Sequence, residues 1–177
     1  MPYYMAAIES MDYQIGRLLD NIPMDELENT IIVFMGYNGS PGQVAQRPYT
    51  RTSSKGGLFQ GGINVPLYVA GAGVSRTGSD DNLITSTDMF STLAQVAGVD
   101  ITQINDSKSF NHLLTSEGNH RDYQYSENDN GTNEQWTISN GNYKLWLNDA
   151  SEEHMYNLAA DPYERNDILT STLSVEE

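Results

Sequence analysis

A long loop between residues 37 and 62 carries the side chains of this chain that could bind an anion. Three of the nine basic residues lie there, Arg47, Arg51 and Lys55, and the loop has no acidic residue. The whole chain has a net charge of −15, so this local reversal of charge favours an anionic ligand. The alternative is that Arg47 and Arg51 neutralise carboxylates elsewhere in the fold.

The loop follows a short apolar run that predicts a strand. Residues 31–35 read IIVFM and are interrupted by GYNGSPG. A continuous apolar run suits a strand buried on both faces, and glycine and proline cannot extend it. Ligands of open α/β sheets bind where such strands end, so we expect the chemistry at this point. Residues 65–70 predict a second buried strand after the loop.

Helices are predicted on both sides of this strand–loop–strand unit. The second is expected after the hydroxyl side chains of residues 85–87, which offer an N-cap, and before Gly98. The first is indicated by apolar residues at three- and four-residue steps, namely Tyr4, Ile8, Met11, Ile15, Leu18, Leu19 and Ile22. A helix, a short connector and a buried strand form half of a right-handed crossover, so the pattern predicts an α/β fold with a partial parallel sheet.

The pattern changes after about residue 105. Asn140-Gly141 is a strong signal for a two-residue hairpin. Phe110, Leu113 and Leu114 suggest a helical turn, and a last short helix is expected around Ile168, Leu169 and Leu173. Strands are predicted over residues 123–127, 135–139, 143–147 and 153–158. We therefore divide the chain into an α/β portion, 1–104, and a C-terminal antiparallel-sheet subdomain with a helix, 105–177.

Composition excludes several classes of function. Cysteine is absent, which excludes disulfides, a zinc–thiolate site and a cysteine nucleophile within these residues. The chain is strongly acidic and lacks the cluster of basic residues that is typical of a nucleic-acid binder. No apolar run approaches a membrane span, and no signal-peptide pattern is visible. The three histidines, His112, His120 and His154, lack ligand spacing and are expected on the surface or in packing.

Two predicted strands are few for a sheet that is covered on both faces. The apolar run at residues 31–35 requires neighbours on its faces and edges. We therefore expect either a missing N-terminal half of the same protein or a second copy of the chain to cover this sheet.

Several segments, taken in their order along the chain, resemble the C-terminal portion of the sulfatase family, within the alkaline-phosphatase-like superfamily. The resemblance covers nearly the whole chain. It rests on the helix at residues 4–19, the strand at 29–34, Lys55-Gly56 through Val65-Pro66, Thr87-Asp88-Met89 through Gly98, Arg121 through Glu127, Tyr143-Lys144, and Met155 through Leu158 with Asp161-Pro162-Tyr163-Glu164 and Asn166.

The resemblance implies hydrolysis of sulfate esters. Sulfatases use a formylglycine nucleophile, made from a Cys/Ser-x-Pro-x-Arg segment, and a calcium ion, less often magnesium, which neutralises charge on the ester. Lys55 matches the catalytic lysine that contacts the sulfate, and Asn38 matches a metal-ligand position. The implied ligands are a sulfate-ester small molecule or a sulfated glycan, without nucleic acid or membrane, and the implied location is periplasmic or secreted.

The sequence departs from the family pattern in three ways. Tyr37 stands where a metal-binding aspartate is usual, and the loss of a carboxylate weakens a calcium site. Gln60 replaces a glutamate, and the 177 residues contain no Cys/Ser-x-Pro-x-Arg segment. This chain alone is therefore predicted to be inactive, with calcium binding weak or absent. The alternatives are a degenerate, non-catalytic binding or scaffold module, and a phosphoryl-transfer relative.

Overall fold

The computed structural model describes residues 1–129 and 131–170. Its α-helices are α1 (Pro2–Asp20), α2 (Met24–Leu27), α3 (Gln60–Ile63) and α4 (Asp88–Val96). Its strands are β1 (Ile31–Met35), β2 (Leu67–Gly71), β3 (Gln103–Ile104), β4 (Ser107–Lys108), β5 (Gln124–Asp129), β6 (Glu134–Ser139), β7 (Tyr143–Asn148) and β8 (Glu153–Asn157). Two 3₁₀ turns lie at Asn111–Leu114 and Ile168–Thr170.

The two predicted long helices are confirmed. α1 begins at Pro2, where a missing N–H costs nothing, and α4 ends before Gly98, whose φ of 85° is the left-handed stop. The predicted hydroxyl N-cap of α4 is wrong, because Thr87 makes no capping hydrogen bond. Instead the Asp88 carboxylate accepts the Thr85 N–H at 3.0 Å.

The pairing of the first two strands corrects one detail of the sequence-based prediction. The chain is α/β as predicted, but β1 and β2 pair antiparallel, with Val33 opposite Val69. The segment between them contains only the four-residue α3, too short to cross the face of a sheet, and the chain turns back beside β1. The predicted burial of β1 is also wrong within the described residues, since Phe34 and Met35 are exposed.

The C-terminal antiparallel sheet is confirmed. Its strands follow in the order β5-β6-β7-β8, each antiparallel to the next. The predicted hairpin is present, but its turn lies one residue further along the chain. Ser139 pairs with Lys144 and the Asn140 N–H donates to Tyr143 O, so the turn residues are Gly141, at a φ of 88°, and Asn142. The predicted last helix is a 3₁₀ turn at Ile168–Thr170, and Leu173 lies outside the described residues.

A small apolar core joins the β1–β2 hairpin to the chain that follows α4. Phe110, Leu113 and Leu114, on and beside the first 3₁₀ turn, are buried. They pack against partly buried apolar side chains, namely Ile31, Leu67, Val69, Val74, Ile84 and Met89. The division at residues 104 and 105 stays a prediction.

Much of the apolar surface of the helices is uncovered by the described residues. α1 has no buried residue, and Met11 and Leu18 of its apolar stripe are 47% and 65% exposed. On α4, Phe90 and Leu93 are also exposed. No helix in the described ranges is long and apolar enough to cross a membrane. The predicted apolar faces of α1 and α4 are thus present, and no described residue covers their exposed side chains.

A buried carboxylate ties α4 to the segment that leads into the C-terminal sheet. Asp88 is fully buried and accepts hydrogen bonds from Arg121 Nε at 2.9 Å and from the Lys108 N–H at 2.9 Å. His120 Nε2 lies 3.1 Å from the same carboxylate. Burial alone would raise the pKa of Asp88, but the bonds from Arg121, Lys108 and Thr85 outweigh it and lower the pKa to about 2.

Asp88→Asn should lower the free energy of unfolding by about 3–5 kcal/mol at pH 7, because it removes one partner of a buried ion pair. Because the pKa of Asp88 is lowered in the folded state, its carboxylate contributes fully to the free energy of unfolding at pH values above the ordinary aspartate pKa. That contribution disappears as the pH falls towards 2. Urea unfolding of the full protein at several pH values measures this difference.

The matched control is Asp80→Asn, which removes a partly exposed pair with Arg76 and should cost less than about 1 kcal/mol. A loss of unfolding free energy in Asp88→Asn that stays the same size from pH 6 to pH 2 would contradict a stabilising role for the ionised Asp88 carboxylate.

Candidate active-site loop

The loop between β1 and β2 folds back onto the end of β1 through main-chain contacts. The Gly39 N–H donates to Gly62 O at 2.8 Å, and the Lys55 N–H donates to Ser40 O at 3.0 Å. The second bond places the main chain of Lys55 beside the turn that contains Asn38. Two positions that sequence reasoning selected separately are therefore neighbours along this main-chain contact.

Glycines make this close approach possible. A Cβ on Gly39 would lie 1.8 Å from Gly61 O, and a Cβ on Gly61 would lie 2.2 Å from Ser53 O. A Cβ on Gly62 would lie 2.2 Å from Gly57 O. Such distances are well inside van der Waals contact, so any side chain at these positions would force the backbones apart. Gly39, Gly61 and Gly62 are thus packing requirements of this loop.

The side chains at the predicted site differ in their surroundings. Lys55 is exposed, and its ammonium makes no hydrogen bond or ion pair within the described ranges. Asn38 is half-buried, and its Nδ2 donates to Gly39 O at 3.0 Å. Tyr37 is 94% exposed. The turn therefore presents an amide oxygen and a phenol, with a free ammonium on the adjoining segment.

An open cleft of about 450 Å³ lies on one side of this turn. Its polar lining includes Asn38, Ser40, Arg47, Tyr49, Ser54 and Asn64. The structure brings Asn38 and Arg47 to this cleft, whereas Lys55 is not among the lining residues. Neither Arg47 nor Arg51 forms an ion pair with any carboxylate in the described part of the chain. The loop cations are thus uncompensated there, as an anion-binding surface requires.

These residues do not form a metal site by themselves. Within residues 1–129 and 131–170 no group of three His, Asp or Glu side chains could hold a metal ion. Asn38 offers one amide oxygen, and Tyr37 supplies a neutral phenol where a carboxylate would be needed. A hard cation requires several oxygen ligands with negative charge, so this donor set is insufficient.

The structure shows one set of residues near this loop that sequence reasoning did not assign to it. Lys144 and Glu164 form an ion pair at 2.5 Å, and each side chain is 1% exposed. Lys144 Nζ also donates to Leu58 O, and Glu164 accepts the Gln60 N–H at 2.5 Å. Burial lowers the pKa of Lys144, and the Glu164 carboxylate opposes that shift. Both residues lie in the family-like segments, but nothing in their spacing connects them with Lys55.

The histidines lie away from this loop. His120 is buried against Asp88, and burial lowers its pKa. His154 Nδ1 lies 2.8 Å from Asp167. The predicted packing role is confirmed for His120, whose ring meets the edge of Phe110.

Family models match most of the chain. The model named Sulfatase matches residues 1–99, and the model named N-sulphoglucosamine sulphohydrolase, C-terminal, matches residues 54–176. A sulfatase of Formosa agariphila is 25% identical over 162 residues, which is 91% of this chain and 31% of that protein. An N-acetylglucosamine-6-O-sulfatase of Bacteroides thetaiotaomicron is 26% identical, covering 94% of this chain and 31% of its own length. The chain thus spans about a third of the length of these relatives.

Solved structures share the fold. A protein in complex with its substrate D-glucosamine-2-N,6-O-disulfate matches with a TM-score of 0.75 and 25% identity, covering 94% of this chain and 35% of that one. A 2-O GAG sulfatase matches with a TM-score of 0.66 and 24% identity, covering 80% of this chain and 32% of that one. At that identity the second match supports the fold alone.

Gly39→Ala should lower the free energy of unfolding by about 1–3 kcal/mol or more, because the new methyl group overlaps Gly61 O. The matched control is Gly16→Ala on α1, where no atom lies within 4 Å of the new Cβ. That change should raise stability by about 0.5–1 kcal/mol through helix propensity. Urea unfolding of the full protein measures both, and a stable Gly39→Ala variant would contradict the packing assigned to this turn.

Proposed function

This chain belongs to the sulfatase family, and from that premise we propose that the protein hydrolyses the sulfate ester of a sulfated sugar. The observation that carries the proposal is Lys55. Its main chain is bonded to Ser40 in the turn that follows β1, and its ammonium has no protein partner in the described residues. A free cation on a fixed loop is suited to a sulfate group.

Lys55 is proposed to stabilise charge on the sulfate oxygens as the ester S–O bond breaks. The hydrogen bond of the Lys55 N–H to Ser40 O fixes its main chain, so only the lysine side chain has to become ordered around the sulfate. Arg47 and Arg51, without carboxylate partners in the described chain, add to the positive potential that attracts an anionic substrate.

A sulfated sugar is the substrate class that the relatives favour. One relative is named an N-acetylglucosamine-6-O-sulfatase, and one solved neighbour holds a glucosamine disulfate. We extend this class to the present protein.

The site requires residues beyond this chain's 177. These residues lack the nucleophile segment, so residues 1–177 alone are expected not to turn over a sulfate ester. We propose that 1–104 form part of the α/β core and 105–177 the C-terminal subdomain. A further part of the same protein, or a second copy, would cover α1 and the exposed side of β1.

A non-catalytic binding role is the second candidate, and Tyr37 favours it. If the protein has this non-catalytic role, calcium binds weakly or not at all. The neutral phenol of Tyr37 occupies the position of a metal-binding carboxylate, and Asn38 provides only an amide oxygen. The two candidates differ in whether the complete protein turns over sulfate esters.

Lys55→Ala in the complete protein should lower kcat for a sulfated sugar by about 10²–10³-fold, because one stabilising charge is lost at the transition state. Steady-state kinetics with a sulfate ester and the matching phosphate ester measure this effect and separate sulfatase from phosphatase activity. Arg17→Ala, on α1 and outside the Lys55 loop, is the control for loss of a cation elsewhere. Equal rates for Lys55→Ala and the wild type would remove Lys55 from the mechanism.

Tyr37→Asp should increase calcium affinity by at least about tenfold, since the substitution adds an anionic oxygen beside Asn38. Isothermal titration calorimetry of the complete protein with calcium chloride measures the change, and Tyr37→Phe is the control that alters the same position without adding charge. Tight calcium binding with Tyr37 in place would contradict the weakened-site proposal.

A further inference from the structure

The C-terminal sheet and the turn after β8 contact the main chain of three alternate residues of the Lys55 loop. Asn128 Nδ2 donates to Gly56 O at 3.0 Å, Lys144 Nζ donates to Leu58 O, and Glu164 accepts the Gln60 N–H at 2.5 Å. All three contacts are to main-chain atoms of residues 56–60. The segment that follows Lys55 is therefore held by side chains that are distant in sequence, and each of these bonds ends on a main-chain atom of the loop.

The Gln60 N–H depends on Glu164. Gln60 is the first residue of α3, and the first N–H groups of a helix have no acceptor within the helix. The Glu164 carboxylate supplies that acceptor across 104 residues of sequence. Glu164 is itself fixed in a turn with a φ of 53°, where the Asp161 carboxylate accepts the Arg165 N–H at 2.6 Å.

Stability alone does not account for an ion pair at this place. Removing two charges from water is costly, and apolar residues of similar volume often stabilise a buried position equally well. What Lys144 and Glu164 supply, and apolar residues cannot, is a donor for Leu58 O and an acceptor for the Gln60 N–H.

We propose that Lys144 and Glu164 are positioning residues that hold the main chain after Lys55 in place against the turn that follows β1. The pair sets the place from which the Lys55 ammonium reaches an anionic ligand. The expected effect of the pair on kcat rests on the proposed sulfate-ester hydrolysis. Its effect on the main chain of residues 56–60 does not depend on that proposal.

Two double variants without charge at either position separate the effect of the hydrogen-bond acceptor for the Gln60 N–H from the effect of the ion pair. Lys144→Met with Glu164→Gln keeps an oxygen for the Gln60 N–H, and Lys144→Met with Glu164→Leu removes it at similar volume. Because neither variant leaves an unpaired buried charge, both are expected to fold. Asp88→Asn is the control for general destabilisation, since the hydrogen-bond partners of Asp88 lie outside residues 37–62.

Hydrogen–deuterium exchange on the complete protein tests the positioning role without any assay of activity. Both variants lose the Lys144 donor to Leu58 O, so both should exchange faster than wild type over residues 56–61. The Leu variant also lacks the acceptor for the Gln60 N–H, so it should exchange about tenfold faster than the Gln variant. Asp88→Asn should leave this segment unchanged relative to the rest of the protein. Equal exchange of this segment in the Leu and Gln variants would overturn the proposal.

Kinetics on a sulfated sugar test the catalytic consequence. The Leu variant should lose about tenfold or more in kcat with little change in KM, and the Gln variant should recover most of that loss. Unchanged kcat in the Leu variant would overturn positioning of Lys55. Faster exchange in the Leu variant, with no turnover by the wild type, would support the positioning role and refute the proposed hydrolysis.

Discussion

The contact between the Gly39 turn and the Gly61-Gly62 segment is the constraint on which the Lys55 loop depends. Backbones can approach this closely only where both sides lack a Cβ, and the Gly39–Gly62 hydrogen bond of 2.8 Å satisfies polar groups that would otherwise be left unpaired. This contact fixes where the loop returns to β1. Lys55 is then attached to Ser40 by its own N–H, and its side chain remains free for a ligand.

Buried carboxylates organise the rest of the described structure. Asp88 joins α4 to Arg121 and Lys108, and Glu164 joins the turn after β8 to Lys144 and Gln60. Each buried charge has an ionic partner and further hydrogen bonds, which offset the cost of removing it from water. An acidic chain that is expected to carry most of its carboxylates in solvent thus uses two of them to connect distant segments.

Much of the fold could be predicted because its signals are local. The spacing of apolar residues in α1 and the glycine after α4 act within a few residues, and the structure has both. The Asn-Gly signal also predicts the hairpin between β6 and β7, although its turn is centred on Gly141 and Asn142. The direction of β2 was not predictable in this way, because it depends on how a loop of many residues returns to β1. The burial of β1 was also mispredicted, since its apolar side chains lack described neighbours on one side.

The sequence by itself determined the family and the residues of the loop, because residue types in order carry that information. Lys55, Asn38 and Tyr37 were selected from the sequence, and their roles remain proposals. The tertiary structure alone decided that Lys55 lies beside the turn after β1 and that Lys144 and Glu164 bond to the adjoining main chain. Glu164 and Gln60 are 104 residues apart, and a contact between a side chain and a main-chain N–H leaves no trace in the type of the residue that donates it.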